Sequence, residues 1–300
     1  MSSLKEIKNR IHSVQSTRKI TSAMKMVSMA KLNKTERMIG GIHSFYHYLH
    51  DILKVVLDDG KDYQTEFSEV RELKRIALVV FSSNSSLCGS FNSNIAKRLN
   101  VEVRNYAALG HENILVIPIG KKIAQETMKM GYKIPPGFEN LDFIIDKPNA
   151  KAVRELAYQL KRLYLNCEVD KVELIYHHAK SKGSQILDSR TLLPLDLKER
   201  DVIEKPVVRE RIYEDDFIIE PDRESLLHDL VPYIINIRLY LALLDSNISE
   251  HTARMLAMQT ATDNADELLE EIKLQYNKLR QQAITSELLD IIGGTATIYS

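Results

Sequence analysis

Apolar residues recur along the last quarter of the chain at alternating intervals of three and four. They are Ile234, Ile237, Leu241, Leu244, Ile248, Met255, Met258, Ala265, Leu269, Ile272, Tyr276, Leu279 and Ala283, interrupted only at His251 and Thr262. A 3.5-residue repeat held this long predicts a coiled-coil helix rather than a helix of a globular domain. Asp222, just after Glu220-Pro221, is a good N-cap, with Ser225 in the first turn. Pro232 kinks the helix or marks its true start. A continuous helix from Asp222 to Ile298 is roughly 115 Å long at 1.5 Å per residue. That is too long for a compact domain of this size. Gly293-Gly294 reads as a helix stop inside the apolar tail 291–298.

The first 57 residues also carry helical periodicity, less regularly. Leu4, Ile7, Ile11 and Val14 form one seam, and Ile20, Ala23, Met24, Val27 and Ala30 a second, offset one. Such an offset is a stutter, which locally unwinds a supercoil. Gly40-Gly41 weakens this helix and Asp58-Asp59-Gly60 ends it. The expected arrangement is antiparallel pairing of the two terminal helices, with the longer C-terminal one extending past its partner.

Between them the pattern changes to short apolar runs alternating with amphipathic stretches. Strands are expected at 75–81, 113–118 and 171–177, helices at 91–108, 121–130 and 148–166, and a hairpin partner at 185–193. Alternating strands and helices mean an α/β sheet with crossover helices. The fold class is thus α/β plus a long antiparallel coiled coil, with a central Rossmann-like domain. The segments are 1–60 (N-terminal coiled-coil helix), 74–200 (α/β domain), 201–221 (connector) and 222–300 (C-terminal coiled-coil helix).

Charge sharpens the pairing argument. Lys plus Arg and Asp plus Glu are 41 each, so the chain is neutral overall, unlike a general nucleic-acid binder. Yet residues 1–57 carry ten bases and three acids, and residues 222–300 six bases and twelve acids. The two ends are electrostatically complementary, although each exposed pair contributes little. The two cysteines, Cys88 and Cys167, are too few for a disulfide scaffold or a four-ligand zinc site and fit a reducing compartment.

Candidate chemistry is sparse. The loop after the first strand, Ser82 to Asn92, holds one glycine and lacks both G-x-G-x-x-G and G-x-x-x-x-G-K-[ST]. Without those glycines the backbone cannot easily approach a pyrophosphate, so no cofactor is expected. Cys88 reads as a small buried residue at a tight turn. His177 and His178 are neighbours on a strand, so their rings face opposite sides, and no metal is expected. His43, His47 and His50 share one helix face and read as a polar surface.

The ends carry longer signals. Leu4-Lys-Glu-Ile-Lys-Asn-Arg-Ile11 is followed by Thr17-x-Lys-Ile-Thr-x-Ala-Met-Lys-Met-Val27. Near the other end stand Ala253-Arg-Met-x-Ala-Met258, Ala261-Thr-Asp-Asn-Ala-Asp-Glu-Leu268 and Tyr276-Asn-Lys-x-Arg-Gln281. In the middle is Leu87-Cys-Gly-x-Phe-Asn-x-Asn94. In order and spacing these resemble the gamma subunit of F-type ATP synthase, closely at both ends and by one loop in the middle.

The resemblance implies a central rotor shaft that couples transmembrane proton flow to rotary ATP synthesis or hydrolysis at sites on the beta subunits, without chemistry of its own. It implies one copy per complex, with three alpha and three beta subunits, the epsilon subunit and the c-ring as partners, and no nucleic acid. It implies a peripheral position on the cytoplasmic face of a bacterial plasma membrane, the start of the chain having no transit-peptide character. Carried over singly, Met24, Lys25, Arg254, Arg280, Gln281 and Glu287 fall at subunit-interface positions. Leu87, Cys88, Gly89 and Asn92 fall in a loop on the c-ring and epsilon side. The chain departs from the family at Asn84-Ser85-Ser86, where an acidic and a basic residue with a glycine are usual. The alternative is a homo-oligomeric coiled-coil scaffold whose α/β domain binds a small ligand.

Overall fold

The computed structural model describes residues 4–57, 63–181, 184–197 and 218–298. Most of the expected connector, 201–221, lies outside them. The chain divides into two compact units, one made of 1–30 with 254–300 and the other of 31–253. Helices α1 (Leu4–Leu57) and α6 (Arg223–Ile298) each contribute to both. The four segments expected from sequence follow elements along the chain, whereas these units group residues by what they touch.

Gly40-Gly41 does not break α1, and Gly293-Gly294 does not stop α6. A glycine inside a helix costs only about 1 kcal/mol, and helical neighbours on both sides hold each pair. Asp222 caps α6 as its position predicts. Its carboxylate accepts from the Ser225 N–H at 2.9 Å and from the Ser225 hydroxyl at 2.9 Å. These bonds lower the Asp222 pKa. Pro232 lies inside the helix, so it marks no start.

Between the long helices stands a four-stranded sheet of β1 (Ile76–Phe81), β2 (Ile114–Ile119), β3 (Lys171–Ser181) and β4 (Ser184–Leu193), in the order β2-β1-β3-β4. β1 runs parallel to both neighbours, and β4 returns antiparallel to β3. Every residue of β1 is buried, as expected for a central parallel strand covered on both faces. Helices α2 (Phe91–Asn105) and α3 (Lys121–Lys129) cover one face through Ile95, Leu99 and Ile123 against Ile76, Leu78 and Val80. Helix α2 ends at Asn105, short of the expected Ala108, and a separate turn at Ala107–Leu109 follows. Helix α5 (Ala150–Leu165) is capped by Asn149, whose side chain accepts from the Ala152 N–H at 2.8 Å. A one-turn helix, α4 (Phe143–Asp146), was not expected, because four residues carry no period to detect.

Within this unit the first part of α6 is not a two-stranded seam. Leu239, Leu241 to Leu244 and Ser246 to Thr252 are all buried, on every face of the helix. The reason is that the sheet and its loops close on it as well as α1. Ser249 Oγ donates to the His177 carbonyl, Gln185 Nε2 to the Ser249 carbonyl and Asn247 Nδ2 to the Ile145 carbonyl. On the α1 side, Arg238 Nε donates to Tyr46 Oη at 3.1 Å.

Candidate functional site

In the unit formed by 1–30 and 254–300, α1 and α6 run antiparallel. Arg18 pairs with Asp266, Thr21 with Thr262 at 2.8 Å, and Lys25 Nζ donates to Gln259 Oε1 at 2.6 Å. Ile7 is buried on α1, and Met258, Ala265, Leu269 and Ile272 on α6. The expected second seam of α1 is not the inner one. Ile20 and Val27 are 59% and 57% exposed, and Ala23 and Ala30 are exposed as well. The inner positions are Thr21 and Ser28, both buried, with Lys25 half-buried between them. The alternation of three and four thus runs from Ile7 through Ile11, Val14, Arg18, Thr21, Lys25 and Ser28 with no stutter. On α6, Thr262 and His251 are themselves buried. They occupy the repeat rather than interrupt it.

This segment is inverted, polar inside and apolar outside. Met26 and Met29, at 60% and 51% exposed, join Ile20 and Val27 on the outer surface. Met24 is half-buried beside Lys25. Hydroxyls tolerate the seam because each has a partner on its own helix: Ser28 Oγ donates to the Met24 carbonyl, and Thr262 Oγ1 to the Met258 carbonyl.

Further along α6, Arg280, Gln281 and Glu287 are exposed. With Arg18 beside Asp266, Leu4 comes level with about residue 280 at the common rise of two antiparallel helices. Beyond that level Ile284, Leu288 and Leu289 are 49%, 54% and 63% exposed. Arg254 differs from the other interface candidates: it is buried, at 8%, so its side chain faces the interior and not the outer surface.

The second candidate region is the loop of the sheet unit. Residues 82–84 cap the start of α3. The Lys121 N–H donates to Asn84 Oδ1, the Lys122 N–H to the Ser83 carbonyl and the Ile123 N–H to Ser82 Oγ. A phosphate at the start of α3 would have to displace all three. The close approach needs Gly120, whose φ is +114°; a Cβ there would lie 2.4 Å from the Ser82 carbonyl oxygen. Asn84 also donates to the Asp142 carbonyl at 2.8 Å. The departure at 84–86 therefore supplies a cap and a loop tie.

Cys88 is buried in a polar knot. Asn92 Nδ2 donates to Cys88 Sγ at 3.1 Å, and Asn92 Oδ1 accepts from the Ser83 N–H at 3.2 Å. This positions the thiol structurally, as a small residue at a turn. Leu87 and Gly89 have φ of +66° and +58°. Leu87 is 59% exposed, so a left-handed backbone holds a large apolar side chain in solvent at the loop apex.

Three of the histidines in the same unit are shaped by their surroundings. His177 stacks on Phe91 at 4.3 Å, and burial holds its pKa down at about 4. On the opposite face of β3, His178 Nδ1 lies 2.8 Å from Asp245 Oδ2, and that bond raises its pKa. His43 is lowered by burial, against the opposing charge of Asp245. Among the described residues no group of three or more His, Cys, Asp or Glu side chains is arranged to hold a metal.

The residues that sequence reasoning missed are Thr21, Ser28, Gln259 and Thr262. The signal that finds them is the alternation of three and four extended through polar positions, instead of the apolar residues alone.

A family model described as ATP synthase matches residues 3–298. The ATP synthase gamma chain of Bacteroides thetaiotaomicron is 46% identical over 299 residues, covering 98% of this chain and 99% of that one. The gamma chain of one Bacteroides fragilis strain is 48% identical over 297 residues with the same coverage. In structure the chain is similar to one in the Euglena gracilis mitochondrial ATP synthase, OSCP/F1/c-ring, in rotational state 3 (TM-score 0.64, 20% identity, covering 98% of this chain and 94% of that one). The scaffold alternative is not favoured by any of these. With relatives this similar over nearly their whole length, and a sheet unit and antiparallel helix pair of the same fold, the chain belongs to the ATP synthase gamma family, as the non-catalytic subunit that forms the rotary central shaft.

Proposed function

We propose that one copy of this chain stands among three alpha and three beta subunits and that its two exposed apolar regions on the helix pair are what those subunits read. The reading rests on one observation above others. Ile20, Met26, Val27 and Met29 are each more than half exposed, on a helix whose inner seam is already filled. Apolar side chains clustered in solvent mark a contact surface. Met24 and Lys25 border this patch, and Arg280, Gln281 and Glu287 present polar groups on the exposed end of α6. A rotating shaft needs faces that differ, because a site changes affinity only through contacts that differ between states. Arg254 acts from the interior, holding the helices rather than touching a neighbour.

The loop apex at Leu87, with Gly89 and the Cys88–Asn92 knot behind it, faces the epsilon subunit or the c-ring in this proposal. The complex lies peripherally on the cytoplasmic face of a bacterial plasma membrane, where ion flow turns the shaft.

The test is ATP hydrolysis by alpha and beta subunits of the same source, with and without this chain. A large rise on mixing, with co-elution of one chain per three beta subunits, is expected. Hydrolysis that does not change, from competent subunits that do not co-elute with the chain, would overturn the reading. Arg280→Ala should weaken assembly or coupling more than Lys273→Ala, also an exposed cation on α6.

A further inference from the structure

Three successive levels of the helix pair are joined by polar contacts between helices: the exposed ion pair of Arg18 and Asp266, then Thr21 to Thr262, and Lys25 to Gln259. The middle pair is buried on both sides, at 8% and 9% exposure. Gln259 is itself aimed, because its Nε2 donates to Asp263 Oδ1 at 2.7 Å, which leaves Oε1 facing Lys25. On α1 apolar positions flank the polar run on both sides, Val14 before it and Leu32 after it.

We propose that this polar run is a register lock: Thr21, Thr262, Lys25 and Gln259 are positioning residues that fix the axial alignment of the two helices, so that torque carried by one is carried by both. The reasoning is geometric. Apolar layers on a heptad pattern fit nearly as well after a slip of seven residues, because dispersion and burial are non-directional. Hydrogen bonds are directional and do not survive such a slip. A slip in one sense sets Arg18 against Lys273 and Thr21 against Leu269, and only Lys25, meeting Asp266, stays matched. A slip in the other sense sets Thr21 against Met255, which breaks the buried pair, and only Arg18, meeting Gln259, stays matched. A polar residue at a seam position is a known device for choosing one register at some cost in stability. Here it stands in the segment whose apolar side chains are turned outward, where the inner apolar contribution to alignment is smallest. The inference rests on the shaft role, but its first readout is independent of any partner.

The experiment is a variant, Thr21→Val/Thr262→Val/Gln259→Leu, which keeps side-chain bulk and removes the bonds. Spin labels on cysteines at Gln15 and Glu270, both exposed, in a Cys88→Ser/Cys167→Ser background, report the interhelix distance by pulsed EPR. The full chain is used, alone and in the reconstituted complex. The starting sequence should give one narrow distribution. The variant should give a broadened or doubled one, with an axial offset of about 10 Å for a one-heptad slip. In vesicles carrying the complex, ion uptake per ATP hydrolysed should fall at least twofold. The control Thr21→Ser/Thr262→Ser keeps both hydroxyls and should restore the narrow distribution. A single narrow distribution in the variant would overturn the lock, as would a Ser control as broad as the Val variant. A broadened distribution with an unchanged uptake ratio would overturn its role in coupling. Failure of the complex to hydrolyse ATP with the unaltered chain would instead count against the shaft reading, leaving the EPR result to stand by itself.

Discussion

Helix α1 is built on one alternation of three and four, yet two stretches of it fill that alternation with different chemistry. From residue 32 to 56 the inner positions are mainly apolar, with Leu32, Ile39, Tyr46, Leu49, Leu53 and Val56 buried and Thr35 the buried polar side chain among them. From 21 to 28 they are Thr21, Lys25 and Ser28, and Ile20, Met26 and Val27 point out. The first stretch gains free energy from area removed from water, which is strong and non-directional. The second gains little net free energy from its bonds but is specific about alignment. One helix thus separates stability from registration, and leaves the second stretch with an apolar outer face for contact.

The largest expected effect lies in the first stretch. Leu53→Ala, at 3% exposure, should cost about 3 kcal/mol, from lost transfer and a residual cavity, read as a lower midpoint in denaturant. A cost under about 1 kcal/mol would mean that the apolar stretch is not the stabilising one.

Acid sharpens the comparison, because His177 belongs to the unit that contains the apolar stretch. Its folded pKa of about 4 lies below the ordinary histidine value of 6.5. Above pH 6.5 both folded and unfolded forms are neutral, and the stability is complete. As pH falls from 6.5 towards 4, the unfolded chain binds a proton that the folded one refuses. Stability therefore falls by about 1.4 kcal/mol per pH unit, to a total of about 3 kcal/mol. His178 works in the opposite sense: its raised pKa contributes stability that is present below its unfolded pKa and lost as pH rises through the folded one. His177→Phe keeps the stacking on Phe91 and should flatten the net slope between pH 6.5 and 4 in hydrogen exchange of the sheet. An unaltered slope would assign the acid sensitivity elsewhere.

A smaller effect is expected at the start of α6. Asp222→Ala removes the acceptor of two bonds from Ser225 and should fray the start of the helix, seen as faster exchange confined to the first turn. The smallest is Thr21→Val. Thr262 keeps its bond to the Met258 carbonyl, so no buried donor is orphaned, and the change should stay within about 1 kcal/mol of neutral. If it cost as much as Leu53→Ala, the two stretches would not differ in the way described.

Much of the fold was legible along the chain. The apolar run Ile76–Phe81 announces a central strand, and Asp222 with Ser225 announces a helix start, because strand burial and capping are written in adjacent residues. The polarity of the first loop was legible. Its actual task was not, since Ser82, Ser83 and Asn84 cap a helix some 40 residues away. The exposure of Ile20 and Val27 was not legible: their apolar character and spacing point to an inner seam, and the structure leaves them outside. Nothing in the residues around Arg254 announces that its side chain is buried, because burial there is decided by contacts distant in the chain.

By itself the sequence determined the alternation of strands and helices, the caps, the complementary charge of the two ends and the family. These depend on neighbours within a few residues or on long matched stretches. Only the tertiary structure decided which face of α1 looks inward between 18 and 28. That choice belongs to the partner helix: regular apolar layers before and after hold the phase of the seam, and polar residues falling in phase are buried with it, while apolar residues out of phase are left in solvent. The cost of burying a hydroxyl that has a hydrogen-bond partner is small beside the cost of shifting every neighbouring layer.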